Sequence, residues 1–234
     1  MKPTPTFSLL SLALICALTA GVSPVRAQGA KGNAAARDAD AATSESLPAR
    51  PVADKLAPAG WKRYEFGEPA RFSLILPGEP ATKVDRPDII PGVMATVRNF
   101  MSVTDSGVYG VSYLDTLPPA LLDETGKREF SERFVKGLAA GFQSGMKARG
   151  MDVSLTMSEQ RRAAVGGLAG YEQDFSYGEA KGRVRLVFDA RSAYAVVAVW
   201  NPLSSNRERK AFFESLKVNT KRQRWHLHAF LARG

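Results

Sequence analysis

The run Ala193–Trp200, with the sequence AYAVVAVW, constrains the fold of this chain more than any other stretch. Its side chains are uncharged and almost all apolar at odd and even positions alike. Because successive side chains of a β-strand point to opposite faces of the sheet, such a strand needs a packed layer on each side. The run therefore predicts a central strand in a mostly antiparallel sheet with helices on both faces. This is a three-layer α/β/α sandwich of the α+β class.

Two strands that precede this run are predicted to form a hairpin around the four-residue turn Gly178-Glu179-Ala180-Lys181. That turn sets the cross-strand pairs Tyr171 with Phe188, Asp174 with Arg185, Phe175 with Val184, and Ser176 with Arg183. Alternation then places an apolar set on one face, namely Tyr171, Phe175, Val184, Leu186 and Phe188. The opposite face holds a polar set, namely Glu172, Asp174, Ser176, Arg183 and Arg185.

Other parts of the chain add further elements to this core. Extended runs predict strands at residues 61–66, 70–77, 93–103, 108–115 and 151–160. Residues 78–92 are rich in proline and are expected to form an exposed, irregular loop. Helical periodicity predicts a main helix at residues 123–149 and a short helix at residues 204–216.

Three glycines recur at four-residue spacing in the predicted main helix. They are Gly137, Gly141 and Gly145, and helical geometry places them in the middle of the apolar stripe. Each glycine costs about 0.8–1 kcal/mol of helix propensity relative to alanine. We therefore expect the helix backbone to approach the sheet closely at these positions. The alternative is a helix–helix seam between two copies of the chain.

The N-terminal part of the chain is predicted to direct export. Residues 1–27 have the features of a secretory signal peptide, with a charged Lys2, an apolar run and a small-residue cleavage site ending at Ala27. This predicts a periplasmic or secreted protein, with an uncleaved anchor as the alternative. Cleavage would remove Cys16, the single cysteine, so the mature chain would have no disulfide and no thiolate. A lipoprotein is not favoured, because Ile15 precedes this cysteine.

Composition divides the mature chain into three predicted parts. Residues 28–60 are rich in alanine and small polar side chains and are predicted to be a disordered linker. Residues 61–218 are predicted to be one globular domain. Residues 219–234 are a basic tail that contributes much of the formal net charge of +9. Such a tail is either solvated or weakly attracted to an anionic surface, and export argues against nucleic acid as a partner.

Four stretches occur in a characteristic order over residues 61–218. They are Trp61 followed by FSLILPGEP, then Gly170-Tyr171-Glu172, then RVRLVFDARSAYAVVAV, and then AFFESLKV. In this order they resemble secreted members of the PsbP-like superfamily, which includes the DcrB-type periplasmic proteins. The resemblance implies an α/β/α sandwich around an antiparallel sheet and an accessory or binding role. The matching residues are strand and turn residues, so the resemblance assigns no functional side chain.

Candidate catalytic and ligand-binding residues are few. His226 and His228 are the only histidines, and both lie in the basic tail. Two imidazoles at this spacing are candidate weak ligands for zinc or copper, but no carboxylate or cysteine is near them, so we interpret them as ordinary tail residues. The predicted domain therefore has no histidine for general-base catalysis. The segment 166–170 (GGLAG) looks like a phosphate loop but precedes a strand and not a helix.

Glu172 and Asp174 are the best candidate pair of catalytic carboxylates. Paired carboxylates are typical of glycosidases. However, the predicted pairing of Asp174 with Arg185 favours cross-strand ion pairs under a covering helix. We therefore assign no catalytic, cofactor-binding or metal-binding residue, and no cofactor.

These observations favour a non-enzymatic exported domain, an accessory or binding module that acts on a protein or envelope partner. One alternative is a carrier of a small molecule or lipid, in a cleft between the main helix and the sheet that is lined by Phe134, Phe142, Tyr171 or Trp200. Another alternative is a hydrolase that uses the carboxylates or a Ser–Lys pair. The identity of the partner and the oligomeric state stay open at this level.

Overall fold

The computed structural model describes residues 49–90, 93–148, 150 and 154–219 of the 234-residue chain. The main sheet has eight strands: β4 (Ala81–Asp85), β7 (Val97–Thr104), β8 (Gly107–Leu114), β9 (Leu155–Met157), β10 (Arg161–Val165), β11 (Leu168–Tyr177), β12 (Ala180–Phe188) and β13 (Ala193–Trp200). Their order is β10-β11-β12-β13-β8-β7-β4, and β9 pairs with the same edge of β11 as β10 does. All of these pairings are antiparallel.

A smaller second sheet and two α-helices accompany the main sheet. The second sheet has the order β1 (Arg50–Val52), β2 (Lys62–Phe66), β3 (Phe72–Leu76) and β14 (Lys217–Val218). A separate two-stranded ribbon consists of β5 (Asp88–Ile90) and β6 (Val93–Met94). The described residues form the α-helices α1 (Glu124–Lys147) and α2 (Asn206–Glu214), and a short 3-10 helix at Pro119–Leu121.

Strand β13 lies inside the main sheet, and both of its faces are buried. Ala195 and Val197 belong to an apolar cluster that includes the buried side of α1. Tyr194 and Val196 belong to a second apolar cluster on the opposite face. The predicted central strand is therefore confirmed, because alternation brings its apolar side chains to two separate cores.

Different layers cover the two faces of the main sheet. Helix α1 covers one face, and its N-terminus is capped by Asp123, whose Oδ1 accepts a hydrogen bond from the main-chain N of Gly126 at 2.6 Å. The second sheet and α2 together cover the other face, and α2 begins with a capping box of Ser205 and Glu208. The mixed α+β class is confirmed. Aromatic side chains of β2 and β3 fill part of the second core, so its cover is not helical throughout.

Two buried tyrosines of the main sheet hold the loop between β2 and β3. The hydroxyl of Tyr113 donates to the main-chain oxygen of Pro69 at 3.2 Å, and that of Tyr194 donates to the main-chain oxygen of Ala70 at 3.1 Å. Burial raises the pKa of Tyr194 to about 12. Its hydroxyl therefore stays protonated near neutral pH and keeps this hydrogen bond between the two sheets.

The hairpin of β11 and β12 closes with the two-residue turn Gly178-Glu179, in place of the predicted four-residue turn. The φ of Gly178 is 53°, a left-handed conformation that glycine adopts without a Cβ clash. The cross-strand pairs are Tyr171 with Leu186, Glu172 with Arg185, Asp174 with Arg183, Phe175 with Gly182, and Ser176 with Lys181. The predicted pairs are therefore wrong by two residues. The predicted faces are confirmed, because a two-residue shift keeps each side chain on its own face.

Two regions differ from the expected strands and loops. Residues 78–92 hold β4 and β5, so the expected irregular loop is wrong; the prolines flank β4, which is an edge strand of the main sheet. Strand β10 was not predicted, because its sequence RRAAV lacks a clear apolar alternation. Of the strand predicted at residues 151–160, β9 is present, and residues 151–153 lie outside the described residues.

The three glycines of α1 do not occupy the middle of its buried side. Gly137, Gly141 and Gly145 are half-buried. The buried side of the helix is formed by Gly126, Phe130, Ser131, Val135, Leu138, Phe142 and Met146. The predicted position of the glycines is therefore wrong, because the buried side is centred further around the helix, toward Leu138 and Phe142.

Residues 49–60, which the sequence assigns to the linker, belong to the described fold. Strand β1 pairs with β2, and Asp54 forms an ion pair with the buried Arg63, with 2.5 Å between Oδ2 and Nε. Arg63 also donates to Ser73 Oγ at 3.0 Å and to the main-chain oxygen of Ser215 at 2.8 Å. The described fold therefore starts before Trp61, and a buried charge links its first segment to β3 and to the end of α2.

A methyl group at Gly170 is expected to destabilise the main sheet. A Cβ there would collide with the main-chain oxygen of Leu186 and lie 2.7 Å from Cα of Val187. We expect Gly170→Ala to lower the free energy of unfolding by about 1–3 kcal/mol, measured by chemical denaturation. Gly67→Ala is the matched control, because a Cβ at Gly67 meets nothing within 4 Å. Equal losses in the two variants would contradict the close approach of β11 and β12.

Removal of the Asp54 charge is expected to destabilise the fold through Arg63. The side chain of Arg63 is 8% exposed, and its loss of a carboxylate partner leaves a buried positive charge uncompensated. We expect Asp54→Asn to lower the free energy of unfolding by about 3–5 kcal/mol, measured by urea denaturation. Glu159→Gln is the control, because Glu159 is exposed. A change within experimental error for Asp54→Asn would mean that the segment before β2 does not contribute to the fold.

Candidate functional site

Five charged side chains form a network on the face of the main sheet that α2 covers. They are Arg161 of β10, Glu172 and Asp174 of β11, and Arg183 and Arg185 of β12. Arg161 bridges the two carboxylates, with 2.8 Å from Nε to Glu172 Oε1 and 2.8 Å from Nη2 to Asp174 Oδ2. Arg183 Nε lies 2.6 Å from Asp174 Oδ1. Arg185 Nη2 lies 2.7 Å from Glu172 Oε2. Each carboxylate therefore accepts hydrogen bonds from two guanidinium groups.

Helix α2 contacts two of the three arginines of this network. The guanidinium carbons of Arg183 and Arg185 lie 5.6 Å and 5.5 Å from the centroid of the Phe213 ring. Arg185 Nη1 also donates to the main-chain oxygen of Phe213 at 3.1 Å. Cation–π contacts and charge-assisted hydrogen bonds together restrict both side chains. The ion pairs expected under a covering helix are therefore present, although the individual partners differ from the predicted ones.

Both carboxylates have a lowered pKa. Burial alone would raise the pKa of Glu172, but the hydrogen bond from Arg185 and the neighbouring positive charges outweigh it. The pKa of Asp174 is lowered against burial by hydrogen bonds from Arg183 and Arg161. A glycosidase acid needs a raised pKa so that it carries a proton near neutral pH. This pair is held ionised and paired, so it is poorly suited to acid catalysis.

An open cleft of about 380 Å³ adjoins the network, and we call it the Trp200 cleft. Its volume falls within the range of about 300–1,000 Å³ that is common for ligand sites. It is lined by Thr156, Met157, Ser158, Asp174, Phe175, Ser176, Lys181, Gly182, Arg183 and Trp200. Strands β9, β11, β12 and β13 therefore all contribute to it.

Four lining residues of the Trp200 cleft form one row across neighbouring strands. Thr156 pairs with Ser176, Ser176 pairs with Lys181, and Lys181 pairs with Trp200. Directly opposed residues share a face of the sheet. The row therefore presents two hydroxyl groups, an ammonium group and an indole ring side by side, next to the arginine–carboxylate network.

The polar groups of this row are available to a ligand. Among the described residues, no hydrogen bond or ion pair engages the side chains of Thr156, Ser176 or Lys181. Trp200 is half-buried, with the Arg209 guanidinium 5.4 Å from the centroid of its ring and the Phe213 ring 6.3 Å away. The indole is therefore fixed in orientation, whereas the neighbouring polar side chains keep unused hydrogen-bonding capacity.

The four residues predicted to line a carrier cleft do not lie together. Phe134, Phe142 and Tyr171 belong to the cluster beneath α1, whereas Trp200 packs with the cluster on the opposite face. The space between α1 and the main sheet next to Phe142 has a volume of about 10 Å³. That volume is about the minimum for one water molecule. Trp200 therefore does not line a cleft between α1 and the main sheet, and the space beside Phe142 is too small for a ligand.

A larger open space of about 840 Å³ lies beside the second sheet. Its charged lining includes both signs, namely Arg50, Glu65, Glu68, Arg71 and Lys217. The φ of Arg71 is 40°, a left-handed conformation that residues other than glycine rarely adopt. Its Nε lies 2.5 Å from Glu68 Oε2. The Trp200 cleft is the stronger candidate, because it contains a row of polar side chains that no other described residue engages, whereas two of the charges that line the larger space pair with each other.

Sequence reasoning missed the role of Lys181. The predicted four-residue turn removed Lys181 from the strand, whereas the observed two-residue turn places it within β12, opposite Ser176. The apolar run that predicts β13 contains Trp200, but alternation alone could not say which layer covers that residue. The signal that could have revealed the row is the alternative turn Gly178-Glu179, which is also a common hairpin turn.

The described part of the chain has no candidate metal centre and no candidate membrane-spanning helix. Its His, Cys, Asp and Glu side chains form no group of three or more that could hold a metal ion. None of its helices has both the length and the apolar character that a membrane crossing requires. His226, His228 and the predicted signal peptide lie outside the described residues. No protein-family model matches the chain, and no curated protein matches it.

Loss of the Glu172 carboxylate is expected to lower the free energy of unfolding at neutral pH. It should also reduce the amount of stability that the fold loses as the pH falls. A carboxylate whose pKa lies below its ordinary value near 4.5 stabilises the fold above that value, and the stabilisation is lost as the pH falls through the lowered pKa. We expect Glu172→Gln to lower the free energy of unfolding at pH 7 by about 3–5 kcal/mol. The measurement is urea denaturation between pH 7 and about pH 2, a range that brackets carboxylate titration.

Glu159→Gln is the control for this experiment, because Glu159 is exposed and forms no ion pair with the described residues. The difference in stability between the wild type and Glu172→Gln should shrink as the pH is lowered, since Glu172 itself becomes protonated. A difference that stays constant down to the lowest pH would show that the carboxylate charge does not stabilise the network.

Proposed function

We propose that this chain is an exported, non-enzymatic binding domain that acts on a protein or envelope partner through the Trp200 cleft. The observation that carries the proposal is the row of Thr156, Ser176, Lys181 and Trp200. Its hydroxyl and ammonium groups are not engaged by other described residues. A site with free polar groups beside a fixed aromatic ring suits recognition of a ligand.

The rigid surroundings of the row also support a binding role. Arg183 lines the cleft and is held by Asp174 and by the ring of Phe213. A pre-organised site loses less conformational entropy when a ligand binds. The same ion pairs leave both carboxylates without the properties of a catalytic acid, which weakens the hydrolase alternative.

Export and family are further parts of the proposal. Export is supported by the sequence of residues 1–27, with its apolar run and its small-residue cleavage site at Ala27. A PsbP-like α/β/α sandwich over residues 61–218 is supported by the order of the four stretches described above. The main sheet has an apolar cluster on each face, as such layering requires, although a second sheet shares the cover of one face with α2.

Binding to an envelope fraction tests this proposal. The purified chain is incubated with envelope membranes and cell-wall material and then sedimented, and the bound fraction is measured over a range of concentrations. We expect Lys181→Gln to weaken binding by about tenfold, the effect of losing roughly 1.4 kcal/mol at a contact site. Lys136→Gln is the matched control, because Lys136 is exposed on α1, on the opposite side of the main sheet.

A chain that lacks residues 220–234 completes the experiment. Unchanged binding by this truncated chain, with loss in Lys181→Gln, supports the Trp200 cleft as the binding surface. Loss on truncation alone would instead assign binding to the basic tail and contradict the proposal. Circular dichroism and thermal unfolding of each variant establish that any loss does not come from misfolding.

A further inference from the structure

We propose that the Trp200 cleft binds an acidic oligosaccharide, a chain of sugar rings that carries carboxylate groups. This inference rests on the proposed binding function and specifies the chemical class of the ligand. Four properties of the row formed by Thr156, Ser176, Lys181 and Trp200 support it: its length, its chemical groups, the charge around it and its place in the sheet.

The row is extended, and this favours a long ligand over a compact ion. It crosses the neighbouring strands β9, β11, β12 and β13. Adjacent strands are about 4.7–4.9 Å apart, so the four side chains span roughly 14 Å. A single phosphate or carboxylate group is too small to contact all of them. A chain of several sugar rings can contact each of the four side chains in turn.

The chemical groups in the row complement an acidic sugar. The hydroxyls of Thr156 and Ser176 can both donate and accept hydrogen bonds, as sugar hydroxyls do. The ammonium group of Lys181 is a compact point charge that suits one carboxylate. Trp200 is half-buried, and the part of its ring that lines the cleft is an apolar surface on which the C–H face of a sugar can pack.

The surrounding charges favour a negative ligand. The neighbouring network contains three arginines and two carboxylates, so it has one positive charge in excess. Lys181 adds another positive charge, and no carboxylate of the described residues forms an ion pair with it. The cleft is therefore electropositive, which attracts an anionic ligand and disfavours a cationic one.

The position of the row argues against an extended peptide. Peptides that add to a sheet use the free main-chain groups of an edge strand. Strands β11, β12 and β13 are each paired on both sides, so their main-chain groups are already occupied at these positions. Strand β9 has an unpaired outer edge among the described residues, but a peptide added there would run along β9 beside Thr156 and would not cross the row. Recognition on this face must use side chains, which suits a ligand that carries its own hydroxyl groups.

Isothermal titration calorimetry of the purified chain with defined probes tests the inference. The probes are tetragalacturonate, the neutral maltotetraose of equal length, and tetraglutamate as an acidic peptide. We expect saturable binding of tetragalacturonate, with maltotetraose and tetraglutamate at least about tenfold weaker. Binding of tetragalacturonate should weaken in about 0.5 M salt, because screening reduces the attraction between charges at an open site.

Three variants connect the binding to the row. We expect Lys181→Gln and Trp200→Leu each to weaken tetragalacturonate binding by about tenfold or more, and Ser176→Ala to weaken it by less. Lys136→Gln should bind as the wild type does. Because Trp200 packs against Phe213, thermal unfolding is used to establish that the Trp200→Leu variant is folded. Lys181 is exposed, so Lys181→Gln still tests the inference if Trp200→Leu misfolds.

Three outcomes would overturn the inference: no saturable binding of tetragalacturonate, equal or tighter binding of maltotetraose or tetraglutamate, or unchanged binding in Lys181→Gln. The sedimentation experiment separates this failure from that of the proposed function. If Lys181→Gln loses envelope binding while tetragalacturonate does not bind, the binding domain stands and the saccharide class is wrong. If Lys181→Gln retains envelope binding, the proposed function fails as well.

Discussion

The burial of β13 on both faces is the interaction on which the rest of the structure depends. Val196 is 0% exposed on one face and Val197 is 2% exposed on the other. Burial of such a side chain stabilises the fold by about 1.5–3 kcal/mol. This gain requires both covering layers at once, with α1 on one side and the second sheet with α2 on the other. The two cores therefore share one strand, and loss of either layer would expose an apolar face.

The arginine–carboxylate network pairs the charged side chains that lie on a covered face of the main sheet. Charged side chains on a covered sheet face are costly unless they are paired and hydrogen-bonded. Glu172 and Arg185, with side chains 10% and 13% exposed, meet this requirement through each other and through the helix above them. The network joins β10, β11, β12 and α2. It thereby supports the edge of the Trp200 cleft, whose lining includes Asp174 and Arg183.

The candidate site was predictable only in part, and the reason is turn length. The period of two residues in a strand determined that Glu172 and Asp174 share a face with Arg183 and Arg185. It did not determine which carboxylate meets which arginine, since turns of two and four residues preserve the faces equally. The observed turn brings Lys181 into the row beside Trp200. A glycine was available to both turns, so local sequence could not decide between them.

The sequence by itself determined the mixed class of the fold, the central strand β13 and the sorting of polar and apolar side chains in β11 and β12. These properties follow from local periodicity and from the need to bury apolar surface. Only the tertiary structure decided the register of the hairpin, the contribution of a second sheet to the cover of one face, and the meeting of Thr156 and Ser176 with Lys181 and Trp200. Those features depend on contacts between segments that are far apart in the chain. A local sequence pattern does not predict such contacts.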